Sequence, residues 1–216
     1  MELKNKKIAF LGDSITEGVG VSDPANIYWN RLAAATGVQV YNHAIRGTRI
    51  APQRIPTAFE LSADRCFVYR AEEIAEDMDA VVIFGGTNDY GHGDAAFGDM
   101  NDRSLDTFYG AYHQLVQKLM AKCPKVIVMT PLHREVENSL YNDYGIRRMG
   151  SLEDYVNAIR QVAAHYDLPV VDLYAECPIY PANPVSRERY APDGLHPNDA
   201  GHELVARMLL DKLKTL

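Results

Sequence analysis

Ala80-Val81-Val82-Ile83-Phe84-Gly85-Gly86-Thr87-Asn88-Asp89 is the stretch that decides the fold. Five apolar residues run unbroken into two glycines and then into polar turn formers. An apolar string of this length reads as a strand covered on both faces, as in a parallel sheet. Similar short runs recur at residues 8–11, 38–41, 126–129 and 170–173, each bounded by Gly, Pro or Asp.

The segments between these runs have helical spacing. Residues 28–36 stop before Gly37, as a helix should. Residues 105–123 carry Phe108, Tyr112, Leu115 and Leu119 at intervals of three and four, ahead of Pro124. Residues 152–166 repeat the pattern with Tyr155, Val156, Ile159 and Val162, and residues 199–213 do so with Leu204, Val205, Met208 and Leu209. Alternating strands and helices imply an α/β chain: a three-layer α/β/α sandwich with a mostly parallel, flavodoxin-like five-stranded sheet. The length, 216 residues, fits a single domain spanning 1–216. Ligand sites in such folds lie beyond the carboxyl ends of the strands, so functional residues are expected to follow strands. Three long irregular stretches, 48–69, 131–150 and 174–192, are expected to leave that same edge and wall a pocket.

Charge narrows the partners. Lys and Arg number 22 against 29 Asp and Glu, a formal net charge of -7 that argues against a nucleic-acid or anionic-membrane partner. Arg46, Arg49, Arg147 and Arg148 are candidates for a local basic patch and read as solvated surface. The three cysteines (Cys66, Cys123, Cys177) lie far apart without zinc or redox spacing, which reads as unpaired thiols in a reducing compartment. The basic start at Lys4 and Lys6-Lys7 precedes an apolar run of only four residues, unlike a signal peptide, and no stretch approaches a membrane span. The expected location is the cytoplasm.

Four blocks carry chemistry. The first strand runs into Gly12-Asp13-Ser14-Ile15-Thr16-Glu17-Gly18, the second leads to Asn42-His43-Ala44-Ile45-Arg46-Gly47, and the third ends in Gly85-Gly86-Thr87-Asn88-Asp89. Asp193-Gly194-Leu195-His196-Pro197 precedes the last helix. In this order the blocks resemble the GDSL/SGNH hydrolase family of esterases and acylhydrolases, and the likeness spans the chain. The resemblance implies a nucleophile at Ser14 and an acid and base at Asp193 and His196. It implies an oxyanion hole from the backbone amides of Ser14 and Gly47 and the side-chain amide of Asn88. Gly47 lies in the loosest block.

The residue types suit the roles. A serine hydroxyl is a poor nucleophile until a base takes its proton. An imidazole, with an ordinary pKa of about 6.5, can accept it near neutral pH. Asp193 stands three residues before His196, so one loop can set its carboxylate on the far ring nitrogen and fix the tautomer. Gly47 lacks a side chain to block a carbonyl, and Asn88 offers a neutral N–H. The expected activity is that of a serine esterase acting on a short-chain acyl or acetyl ester, with a small molecule or carbohydrate as the alcohol, through an acyl-Ser14 intermediate. Tyr141, Tyr144, Tyr180 and Tyr190 with Arg134, Arg147, Arg187 and Arg189 are the loop residues suited to a sugar. No cofactor and no metal are expected: His92 and Asp94 lack a third ligand at a sensible spacing.

Blander readings compete at each position. Alone, Ser14 reads as a helix cap, Asn88 as a turn former and His196 as incidental. Asp13 and Asp89 read as structural acceptors of backbone N–H bonds. The other histidines (43, 92, 113, 133, 165, 202) read mostly as surface or helix residues, with His92 and His133 placed after strands where a pocket would be. An α/β-hydrolase fold is excluded because it needs Gly-x-Ser-x-Gly deep in the chain. A flavodoxin-like phosphate- or nucleotide-binding module would cradle its ligand at residues 14–20, where Asp13 and Glu17 disfavour it. A non-catalytic carbohydrate-binding homologue is the third reading.

Overall fold

The computed structural model describes residues 2–54, 65–142 and 144–216. Among the described residues five strands form one sheet, and numbered in chain order they lie side by side as second, first, third, fourth, fifth. They are β1 (Lys7–Gly12), β2 (Gln39–Ala44), β3 (Ala80–Phe84), β4 (Val126–Met129) and β5 (Val170–Val171), and every neighbouring pair is parallel. The central strands are buried along nearly their whole length, which is why they read as continuous apolar strings.

Alternate residues of those strands serve two cores. Ala9, Leu11, Val81, Ile83, Val126 and Val128 pack on one side with Phe108, Tyr112, Tyr155 and Ile159. Ile8, Phe10, Val82, Phe84 and Ile127 pack on the other with Tyr28, Leu32, Val205 and Leu209. Helices Phe108–Lys122 and Leu152–His165 therefore cover one face, and helices Tyr28–Thr36 and Asp199–Lys214 the other. The result is the three-layer sandwich.

Departures from the expected boundaries have local causes. The second strand runs to Ala44 rather than ending at Tyr41, because an edge strand exposed or half-exposed along its length tolerates the polar Asn42 and His43. The fifth strand stops at Val171, since Asp172 turns out of the sheet and caps the short helix Leu173–Glu176 by accepting the Ala175 N–H. The helix expected from 105 begins at Phe108, where the Thr107 hydroxyl accepts the Gly110 N–H. The stretch 174–192 is not irregular throughout: Asn183 caps a helix over Pro184–Tyr190, with proline in its first turn. Stretch 48–69 ends in the helix Phe67–Arg70, and its residues 55–64 lie outside the described residues. No helix among the described residues is long and apolar enough to cross a membrane. Cys66, Cys123 and Cys177 are free and buried.

Candidate active site

Strand β1 delivers Asp13 and Ser14 to the carboxyl edge of the sheet. Asp13, not Ser14, is the N-cap of the short helix Ser14–Glu17: its Oδ1 accepts the Ile15 N–H at 3.0 Å. Ser14 is the first residue of that helix, so its own N–H has no intrahelical acceptor. Its Oγ lies 3.0 Å from Nε2 of His196, 182 residues later in the chain.

His196 is held from behind. Its Nδ1 stands 2.6 Å from Oδ2 of Asp193, while Oδ1 of the same carboxylate accepts the N–H groups of Leu195 (2.9 Å) and His196 (2.7 Å). Nδ1 donates to a carboxylate, which leaves Nε2 with a lone pair facing the serine hydroxyl. Burial works to raise the Asp193 pKa, but the hydrogen bonds from His196 and Leu195 outweigh it and hold the carboxyl below its usual range.

Strand β2 leads to the turn 45–48, closed by a bond from the Thr48 N–H to the Ile45 carbonyl at 3.3 Å. Gly47 occupies this turn at φ +73°, a left-handed conformation that disfavours a side chain and adds a second reason for glycine there. Glu17, from the first block, grips the turn by accepting the Arg46 N–H at 2.8 Å and pairing with its guanidinium. Strand β3 leads into the helix Thr87–His92, where Asn88 Nδ2 donates to the Thr48 carbonyl at 2.9 Å. That bond uses one amide hydrogen and leaves the second for another acceptor. Asp89 accepts the N–H groups of Ile50 and Ala51, so Asp13 and Asp89 hold loops as backbone acceptors. Burial raises both carboxyls, Asp13 to about 7 and Asp89 to about 6.

Ser14, Gly47, Asn88 and His196 line one cavity of about 380 Å³. Val19, Leu195 and Gly91 complete its apolar wall, and Arg46, His92, Arg134 and Tyr144 its polar one. Of the three long stretches, only 131–150 contributes described lining residues, Arg134 and Tyr144. The other candidates point elsewhere. Arg187 pairs with Glu135, Tyr180 packs on the His133 ring at 4.7 Å, the Arg189 guanidinium lies over the Tyr190 ring, and Tyr141 bridges to Arg147. These side chains are tied down by their own contacts instead of lining the pocket.

Among the histidines, His92 reaches the cavity and His133 does not, being bonded through Nδ1 to Glu137 at 2.8 Å. His92 Nδ1 lies 2.9 Å from the Arg49 guanidinium, which can only donate, so the ring proton belongs on Nε2. Burial, with Arg49 and Arg134 adding to it, pushes its pKa down to about 3. Asp94 accepts the Arg54 N–H at 3.1 Å. Arg49 and Arg148 leave the solvated patch expected of them. Arg49 is 1% exposed, and Arg148 donates to the Tyr90 carbonyl at 3.0 Å with its guanidinium over the Tyr90 ring.

A hydroxyl, an imidazole and a carboxylate in series above a parallel α/β sheet is the arrangement of hydrolases that use a serine nucleophile. The chain belongs to the GDSL-like Lipase/Acylhydrolase family, whose profile matches residues 10–204. It is a carboxylic ester hydrolase. Among solved structures, a protein from Lactobacillus plantarum is 32% identical with a TM-score of 0.81, over 98% of each chain. The lipase/acylhydrolase from Enterococcus faecalis is 26% identical, TM-score 0.65, over 97% of this chain and 96% of that one. An acetyl xylan esterase is 25% identical, TM-score 0.62, over 95% of this chain and 98% of that one. No curated protein sequence matches.

Sequence reading passed over Thr48 and Arg70. Thr48 is the acceptor that orients Asn88. Its one signal is its place directly after Gly47. Arg70 lies one residue past the stretch 48–69 read as irregular, and nothing in the sequence marks it.

Proposed function

We propose that the chain hydrolyses short-chain acyl esters, acetyl above all, of a carbohydrate or similar polar alcohol through an acyl-Ser14 intermediate. The carrying observation is the 3.0 Å approach of Ser14 Oγ to His196 Nε2, with Asp193 2.6 Å behind the ring. His196 takes the hydroxyl proton as Ser14 attacks the ester carbonyl, and Asp193 stabilises the imidazolium that forms. The carbonyl oxygen becomes an oxyanion, received by the N–H groups of Ser14 and Gly47 and by Asn88 Nδ2. His196 then gives its proton to the departing alcohol. A water, deprotonated by the same imidazole, attacks the acyl-serine and releases the acid, which returns Ser14 and His196 to their starting states.

The cavity supports the short acyl group. Val19 and Leu195 are the aliphatic side chains among its described lining residues, little apolar surface for a tail whose burial gains about 0.8 kcal/mol per methylene. Tyr144 with Arg134 and Arg46 suits a hydroxyl-rich alcohol, and an acetyl xylan esterase stands among the structural relatives. A series of p-nitrophenyl esters from C2 to C12 tests the acyl preference. The highest kcat/KM should fall at C2, and a maximum at C8 or longer would refute it.

A further inference from the structure

Arg70 lies outside all four sequence blocks, on the helix Phe67–Arg70, and is 1% exposed. Its guanidinium spends its donors on the loops that carry the site. Nη2 donates to the Gly12 carbonyl at 3.1 Å and to the Thr48 hydroxyl at 2.8 Å, Nη1 to the His43 carbonyl, and Nε to the Arg65 carbonyl at 2.7 Å. Gly12 ends β1 two residues before Ser14. His43 sits in β2 shortly before Gly47. Thr48 follows Gly47 and, through its carbonyl, holds Asn88 Nδ2.

One planar fork thus touches β1 two residues before Ser14 and the hydroxyl of the residue after Gly47, and Asn88 is joined to it through the Thr48 carbonyl. Gly12 O also accepts the Ile45 N–H at 3.1 Å, so β1 and the turn 45–48 are tied both directly and through Arg70, while the Thr48 hydroxyl donates to the Ile45 carbonyl at 2.6 Å within the turn. The guanidinium packs on the Phe67 ring, its carbon 4.8 Å from the centroid, which fixes the plane of the fork. A lysine ammonium is a single point on a flexible stem and cannot bridge these carbonyls at once.

The geometry points to Arg70 as the positioning residue of the oxyanion hole, setting the spacing of the Ser14, Gly47 and Asn88 donors without touching substrate. The inference rests on the oxyanion hole proposed above. Donors misplaced by a fraction of an ångström lose transition-state stabilisation while substrate binding is little affected. The effect should therefore appear in kcat and not in KM.

A double-mutant cycle with Asn88 tests it, read as kcat and KM on p-nitrophenyl acetate. Asn88→Ala should lower kcat about 100- to 1000-fold. Arg70→Lys should lower it about 10- to 100-fold, with KM within about twofold. The double variant should lose less than the product of the two single losses, since both changes damage one device. Thr48→Val, which removes the hydroxyl that receives Arg70 but keeps the carbonyl that holds Asn88, should show the same non-additivity. It carries the test should Arg70→Lys fail to fold. Unchanged kcat for Asn88→Ala would sink the oxyanion reading itself. A large loss for Asn88→Ala with none for Arg70→Lys, or losses that multiply in the double variants, would overturn the positioning role alone.

Discussion

Asp13 caps the first short helix, and this leaves the Ser14 hydroxyl to the imidazole. Two carboxylates near the serine thus do different work: Asp13 holds backbone, and Asp193 holds His196. Ser14→Ala should remove turnover, a loss of about 10⁶-fold in kcat by comparison with serine hydrolases of known energetics, with the thermal midpoint little changed. Asp193→Ala should cost less than His196→Ala, about 10³- to 10⁴-fold, because the base survives without its orienter. Steady-state rates for the two variants check the order, and equal losses would remove the orienting role. At this scale the meeting of Ser14, Asp193 and His196 was legible because each follows a strand or precedes a helix. Arg70 was not, because its value lies in carbonyls distant in sequence.

Elements place these groups through their ends. The helix Leu152–His165 begins with a reciprocal capping box: the Ser151 side chain accepts the Asp154 N–H, and the Asp154 carboxylate accepts the Ser151 N–H. That helix buries Tyr155 and Ile159 in the core beneath the site. Ser151→Ala should lower unfolding free energy by about 1 kcal/mol, read by urea denaturation, with kcat unchanged. A loss of activity without a loss of stability would contradict this purely structural role. Apolar runs revealed the strands and periodic stripes the long helices. Short elements escaped notice: Leu173–Glu176 is set by Asp172, and Pro184–Tyr190 by an Asn-Pro pair that propensity alone ranks as a turn.

Over the whole molecule, buried ionisable groups set the response to acid. His202 is fully buried, accepts the Tyr28 N–H on Nδ1 and stacks on the Tyr28 ring; burial first, then Arg31, push its pKa down to about 4. The unfolded chain takes that proton near pH 6.5, so the unfolded state binds more protons between the two values. Its contribution to stability is present above 6.5 and falls by about 2 kcal/mol between pH 7 and pH 5. Asp13 and Asp89 act in the opposite sense. Their raised pKa values, about 7 and about 6, give a contribution that is full below the unfolded carboxyl value and is lost as pH rises through them. The comparison with His202→Gln isolates the histidine. The stability advantage of the wild type over the variant should shrink by about 2 kcal/mol from pH 7 to pH 5, and an equal difference at both pH values would exclude a neutral buried imidazole. The layered fold and the meeting of both chain ends at one sheet edge were readable because parallel strands must send their carboxyl ends the same way. Which loops wall the cavity was not, because that depends on side-chain bonds such as Arg148 to the Tyr90 carbonyl.

The central claim is that His196 activates Ser14 for covalent catalysis, and a fluorophosphonate probe tests it most directly. Mass analysis of the labelled protein should find one adduct, on the peptide that carries Ser14, forming far more slowly in His196→Ala. An esterase that hydrolyses p-nitrophenyl acetate while Ser14 stays unlabelled, or labels as fast without His196, would contradict the account.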